Sequence, residues 1–286
     1  MGSDPGLAFA ADGYPLAATR FEAKGRAWGN LLVAGAMGVR QDFYGPLARH
    51  FADSGLNVLT FDYRGMGRSR PEALAQLDVD VHDWAHKDLG AMLREARAMS
   101  GDLPLAVLGH SLGGQILPIA PESGHVRASI NVTAGSGWYR HNVHMPLQVR
   151  FLWYVAVPLL TPLFGYFPGR MLRIVGDLPK GVAYQWRRWC LSPEYLLSEG
   201  DAAKSAYREW SAPILSYSFD DDAMITRAAV DSLESFYARA PLTRRHVAPA
   251  EVGEKRIGHF GYFSERSKPT LWKESLDWLR QSLQAA

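Results

Sequence analysis

The feature that most constrains this fold is a glycine-rich break between two apolar runs, Gly109-His110-Ser111-Leu112-Gly113-Gly114. The run before it, Leu105–Leu108, has the composition of a buried strand, and a helix-like run follows. A sharp strand-to-helix turn strains the backbone at the serine and leaves no room for side chains two residues away on either side. Glycines 109 and 113 remove those clashes, so the pattern predicts a serine hydroxyl raised above a sheet at a helix N-terminus. The alternative is a purely structural glycine-rich turn.

Short apolar runs recur along the chain and alternate with segments of helical period. Runs that are apolar throughout are typical of parallel strands buried on both faces. We therefore predict an α/β fold: a mostly parallel sheet of about eight strands with helices on both faces. The predicted strands are Leu7–Ala10, Leu16–Phe21, Leu31–Ala36, Leu56–Phe61, Leu105–Leu108, Ala128–Thr133, Ile214–Phe219 and His246–Ala248, and the predicted helices are Gln41–Ser54, His82–Met99, Thr226–Ala238 and Leu271–Leu283.

One segment interrupts the alternation of strands and helices, between the predicted strands Ala128–Thr133 and Ile214–Phe219. From Gly137 to Cys190 it contains 11 aromatic residues, seven basic residues and a single acid, Asp177. We predict a helical cap at 137–212, inserted in a core formed by 1–136 and 213–286. The aromatic side chains Trp138, Phe151, Trp153, Tyr154 and Trp186 are expected to supply apolar surface over the serine.

Composition excludes several classes of function. A net charge of +2 does not suggest a nucleic-acid binder. A single cysteine, Cys190, allows no internal disulfide and no metal cluster, and no motif for a cofactor is present. The first 13 residues lack the pattern of a signal peptide, which predicts a cytoplasmic protein. The most apolar window, Phe151–Phe167, holds two prolines and is shorter than the roughly 20 residues of a bilayer span.

With the serine motif in place, two further stretches make the chain resemble the α/β-hydrolase family. They are DYRGMGRS (Asp62–Ser69) after the Leu56–Phe61 run and IGHFGYF (Ile257–Phe263) near the C-terminus. The combination is most similar to a poorly characterised bacterial branch of predicted hydrolases. The resemblance implies the α/β-hydrolase fold with an inserted cap and a serine nucleophile, because a serine stands where dehalogenases and epoxide hydrolases have an aspartate.

A serine nucleophile needs a histidine base. The family's chain order of serine, acid and histidine matches His259, which lies on a loop between Gly258 and Gly261. His110 is interpreted as a packing residue. The other histidines are expected to be solvated, capping, strand or cap residues: His50, His82, His86, His125, His141, His144 and His246.

The acid is expected after the Ile214–Phe219 strand, where three carboxylates follow one another. The run of apolar residues after Asp222 fits the family best, so we predict Asp222 as the triad acid and keep Asp221 as the alternative. Asp220 and the unused neighbour could simply precede a helix N-terminus.

The oxyanion hole needs two amide donors. The resemblance implies the backbone N–H of Leu112, directly after the serine, and that of Met37. The family often has His-Gly-x-Gly at the second place, whereas this chain has Gly35-Ala36-Met37-Gly38.

The resulting hypothesis is a serine hydrolase that cleaves a carboxylic ester or thioester through an acyl-enzyme, without metal or cofactor. Its partner is a small acyl substrate whose negative charge lies near the basic rim of the cap; an ordinary solvated helix face explains the basic residues equally well. An acyltransferase, a carbon–carbon bond hydrolase, a lipase working at a membrane surface through the cap, and a non-catalytic ligand-binding protein remain open. The oligomeric state is also open.

Overall fold

The structure is a computed structural model that describes residues 3–70 and 73–284. Eight strands form its main sheet, in the order β1-β2-β4-β3-β5-β6-β9-β10. These strands are β1 Ser3–Phe9, β2 Pro15–Phe21, β3 Gly29–Ala34, β4 Leu56–Phe61, β5 Leu105–His110, β6 Val126–Val132, β9 Ile214–Phe219 and β10 Leu242–Val247, while β7 Tyr166–Phe167 and β8 Leu178–Pro179 form a separate two-stranded ribbon.

The six strands from β4 to β10 in this order pair parallel, whereas β2 pairs antiparallel with both of its neighbours, β1 and β4. Its central strands are buried on both faces: Leu32 of β3 packs into one apolar layer, and Leu31 and Val33 pack into the other. This two-sided burial explains why the strands appear in the sequence as continuous apolar runs. The predicted fold class is confirmed.

Helices cover both faces, and several differ in length from the prediction. The helices are α1 Gly45–Asp53, α2 Val81–Asp83, α3 Gly90–Ala98, α4 Leu112–Gln115, α5 Pro146–Phe151, α6 Val157–Phe164, α7 Gly169–Leu172, α8 Lys180–Leu191, α9 Asp201–Glu209, α10 Arg227–Glu234 and α11 Lys273–Gln284. A π-helical stretch, Trp84–Leu89, joins α2 to α3, so the predicted His82–Met99 helix is continuous. The helix after the serine is only four residues long, and Pro118 follows within three residues of its end.

The cap consists of α5 to α9 and the small ribbon, all between β6 and β9. Through another π-helical stretch, Leu152–Ala156, α5 and α6 form one helix from Pro146 to Phe164. By length and composition this helix could cross a membrane, although one side of it packs inside the cap. It begins earlier than the apolar window read from the sequence, and it continues through Pro158, which follows the π-helical stretch, and through Pro162.

The DYRGMGRS segment anchors the loop that follows β4. The buried Asp62 carboxylate accepts hydrogen bonds from the backbone N–H groups of Gln41 and Arg68, at 2.8 and 2.9 Å. The buried Arg64 guanidinium bridges Asp88, at 2.6 Å, and Asp12, at 2.7 Å. The segment is therefore a structural clamp, since its polar side chains satisfy one another and the backbone.

Candidate active site

The serine turn has the strained geometry that its glycines suggest. Ser111 has φ 51° and ψ −113°, a backbone conformation that few non-glycine residues adopt. A Cβ at position 113 would stand 2.1 Å from the Ala34 carbonyl oxygen, and one at Gly109 would stand 2.5 Å from the Gly114 backbone. Both positions therefore require glycine, and the turn packs directly on the neighbouring strand β3.

The structure brings His259 and Asp222 together, 37 residues apart in the chain. His259 Nδ1 lies 2.8 Å from Asp222 Oδ2, and both side chains are buried. The other carboxylate oxygen accepts the N–H groups of Met224 and Ile225, at 2.8 and 3.0 Å. Because a carboxylate only accepts, Nδ1 of the histidine carries the proton and Nε2 is left as the basic nitrogen.

The other two aspartates have different partners. The Asp221 carboxylate accepts the N–H groups of Ile257 and Gly258, both at 2.9 Å, and so holds the loop that carries His259. Asp220 pairs with His246 of β10. Within the triplet, only Asp222 contacts His259 in the described structure.

His110 is more than the packing residue expected from the sequence. It is completely buried, and its Nε2–H donates to the His259 carbonyl at 3.0 Å. Its Nδ1 accepts from the Tyr44 hydroxyl at 2.9 Å, and that hydroxyl accepts the Ala36 N–H at 2.8 Å. Burial lowers the pKa of His110 well below its usual range, which keeps the ring neutral as this pattern requires.

This chain of hydrogen bonds links the loop after β3, the serine turn and the histidine loop. Sequence reasoning missed Tyr44 entirely, because its partner His110 is 66 residues away. The one signal in the sequence was His110 itself, a polar side chain beside the serine at the end of an otherwise apolar strand.

The two residues predicted to supply the oxyanion-hole amides, Met37 and Leu112, line the same cavity as Ser111. In the part of the chain that the structure describes, the Met37 N–H has no hydrogen-bond acceptor. Leu112 opens α4, where backbone N–H groups have no acceptor within the helix. Both amides are thus free to donate to a ligand.

The cavity lies between the sheet and the cap and has an empty volume of about 850 Å³, counted out to its mouth. Ser111 and His259 line it from the core, and Trp138, Trp153 and Trp186 line it from the cap. No Asp, Glu, Lys or Arg is among the lining residues that the structure describes. Nor do the described residues contain a cluster of three or more His, Cys, Asp or Glu side chains able to hold a metal ion.

A model of the serine aminopeptidase family S33, a hydrolase family, matches residues 29–151, which span β3 to α5 and include the serine turn. The chain has the α/β-hydrolase fold. The resemblance predicted from the sequence is confirmed, and the match supports hydrolase activity. No curated protein is similar enough to the chain to match it.

Solved structures share the hydrolase fold over nearly the whole chain at low identity. A soluble variant of monoglyceride lipase from Saccharomyces cerevisiae is 13% identical, with 99% of this chain and 96% of that chain covered and a TM-score of 0.71. The α/β hydrolase GrgF from Penicillium sp. sh18 is 16% identical, with 99% and 100% covered and a TM-score of 0.65. The esterase domain of a Rhodothermus marinus protein is 16% identical, with 98% and 99% covered and a TM-score of 0.61.

Two of the aromatic residues expected over the serine lie elsewhere. Phe151 and Tyr154 are 52% and 54% exposed and face away from the cavity. Of the cap histidines, His141 lines the cavity and His144 is exposed. Composition alone could not separate these groups, because it does not tell which side of the Pro146–Phe164 helix faces the core.

Proposed function

We propose that this hydrolase cleaves a carboxylic ester or thioester by way of an acyl-enzyme on Ser111, with His259 as base and Asp222 as its orienting acid. The observation that carries the proposal is the buried 2.8 Å contact between His259 Nδ1 and Asp222 at a cavity that Ser111 also lines. In the described structure Ser111 and His259 line one cavity without a hydrogen bond between their side chains. The proposal is that Nε2 of the oriented histidine activates the serine hydroxyl when substrate is bound.

In the proposed reaction, Ser111 Oγ attacks the acyl carbonyl carbon while His259 Nε2 takes the hydroxyl proton. The negative oxygen that forms is stabilised by the N–H groups of Met37 and Leu112. The bond to the leaving group then breaks, and His259 gives it the proton. Water then attacks the acyl-enzyme while His259 Nε2 takes a proton from it. The bond between the acyl carbon and Ser111 Oγ breaks as His259 returns the proton to the serine, which releases the acid.

The cavity favours an acyl substrate over a peptide. An aminopeptidase must bind a positively charged α-amino group, and a carboxylate is the usual partner for such a group. The described lining has no carboxylate, and its tryptophans and aliphatic side chains offer apolar surface suited to a medium-length acyl chain. Although the matching family model is named for aminopeptidases, we therefore propose an esterase-type substrate.

Hydrolysis of p-nitrophenyl esters of graded chain length, compared with alanine p-nitroanilide, tests this proposal. We expect kcat/KM to rise with chain length up to the length that fills the cavity, and the anilide to be turned over far more slowly. Ser111→Ala and His259→Ala should each abolish ester hydrolysis, and the double variant should be no worse than either single one. Efficient cleavage of the anilide, or equal rates for all chain lengths, would contradict the proposal.

A further inference from the structure

We propose that the exposed side of the cap helix is a docking surface for an anionic phospholipid bilayer. Between Pro146 and Phe164, five apolar side chains at intervals of four residues are 39–75% exposed. Residues four apart lie on the same side of a helix, so they form one continuous surface, here called the cap stripe. The stripe consists of Leu147, Phe151, Val155, Leu159 and Leu163.

The opposite side of the helix is part of the protein core. Trp153 on that side is buried and stacks edge-on against Trp186 of α8, with ring centroids 4.7 Å apart. The Arg187 guanidinium also donates to the Trp153 carbonyl. Crossing a bilayer would strip these contacts away, so the helix fits a position parallel to the membrane surface, with the stripe buried among the lipid acyl chains.

Charge makes an anionic surface the fitting partner. Four arginines on the segment that carries the stripe are exposed, and none of them forms an ion pair with a carboxylate within residues 3–70 and 73–284. These are Arg140, Arg150, Arg170 and Arg173. The segment's single acid, Asp177, is already paired with Arg70 at 2.9 Å.

Basic residues beside a membrane attract anionic lipid headgroups. A second copy of this chain would instead bring an equally positive surface to the stripe. The charge therefore favours a lipid surface over a dimer interface as the occupant.

The helix that carries the stripe also lines the cavity. Val149 and Leu152 of the same helix line the cavity, and Ile174 both lines it and is 39% exposed. The same helix thus presents apolar side chains both on its exposed side and to the cavity over Ser111. This last step rests on the proposed function: a lipid-borne acyl chain would enter from the bilayer side.

Co-sedimentation of the purified full chain with vesicles tests docking without using activity. We compare phosphatidylcholine vesicles with vesicles that also contain about 30 mol % phosphatidylglycerol. Binding is expected to the anionic vesicles and to weaken as salt is added. Leu159→Gln/Leu163→Gln should lower the vesicle partition coefficient by about tenfold or more. Leu7→Gln, at a site 66% exposed on β1 outside the cap, is the matched control and should bind like the wild type.

Arg150→Gln/Arg173→Gln should lower binding to anionic vesicles about tenfold or more and leave binding to neutral ones unchanged, with Arg127→Gln on β6 as control. Both stripe positions lie outside the cavity lining, so hydrolysis of a soluble short ester should not change in Leu159→Gln/Leu163→Gln. The proposal would be overturned if the wild type and the stripe variants bound vesicles equally. It would also be overturned if the wild type bound no vesicle but formed a dimer that the stripe substitutions dissociate. Loss of hydrolysis with intact vesicle binding would instead count against the proposed function alone.

Discussion

At the scale of single residues, the candidate site depends on a hydrogen-bond chain as well as on the triad. The Tyr44 hydroxyl accepts from the Ala36 N–H and donates to His110, whose other nitrogen donates to the His259 carbonyl. One tyrosine therefore ties the loop of the proposed oxyanion donor Met37 to the loop of the proposed base.

Replacing Tyr44 by Phe should leave two buried polar groups without partners, which costs about 1–3 kcal/mol for each group. We expect the free energy of unfolding to fall by about 2 kcal/mol or more and kcat to fall, because both loops lose a fixed point. Tyr63→Phe is the matched control, since the Tyr63 hydroxyl is buried without a hydrogen-bond partner among the described residues. Urea unfolding checks this prediction, and equal losses in the two variants would refute it.

The aspartate triplet gives a second prediction at this scale. Asp222→Asn should lower kcat by about 10⁴, as expected when an acid sets the tautomer of a catalytic histidine. Asp221→Asn should cost much less, because that carboxylate accepts only from the Ile257 and Gly258 amides and acts on His259 through its loop. Steady-state kinetics on the best ester give the ranking, and the reverse order would transfer the role of the acid to Asp221.

At the scale of elements, the serine turn was predictable and its partners were not. Sterics alone require glycine at 109 and 113, and strands buried on both faces leave continuous apolar runs in the sequence. In contrast, Asp221 and Asp222 are chemically identical, and only the tertiary contacts with the 257–259 loop tell them apart. The same holds for Phe151 and Tyr154, whose direction depends on how the cap helix packs.

The close packing of Gly113 against β3 can be tested by substitution. In Gly113→Ala, the new Cβ would lie 2.1 Å from the Ala34 carbonyl oxygen, so β3 or the turn must shift. We expect a loss of about 3 kcal/mol or more in stability, with loss of activity. Gly124→Ala, where an added Cβ meets nothing within 4 Å, should be close to neutral. Thermal unfolding of the two variants decides the matter; a Gly113→Ala protein as stable as Gly124→Ala would mean that the turn is not packed in this way.

At the scale of the whole molecule, buried neutral histidines should make the fold sensitive to acid. Burial lowers the pKa of His110 well below its usual range, and partial burial also lowers the pKa of His50 and His141, which are half-buried. The unfolded chain binds protons at these residues from about pH 6.5 downward, whereas the folded chain binds them only at lower pH. The stability that these neutral histidines contribute is therefore fully present above about pH 6.5 and is lost as the pH falls below it.

His110 should contribute up to about 1.4 kcal/mol per pH unit to this loss, because it is completely buried. We expect His110→Gln to be less stable at neutral pH and to lose stability more slowly on acidification than the wild type does. Urea unfolding at a series of pH values measures both, with His125→Gln, at an exposed site, as control. An unchanged slope for His110→Gln would show that His110 is not held neutral in the folded state.

Mass spectrometry after reaction with a fluorophosphonate tests directly whether Ser111 is the nucleophile. We expect one covalent adduct per chain on the peptide that contains Ser111, and none in Ser111→Ala. Ser136→Ala should react like the wild type, since Ser136 is another serine that lines the same cavity. If Ser111→Ala were modified as fast as the wild type, or the adduct lay on another residue, the proposed mechanism would be wrong.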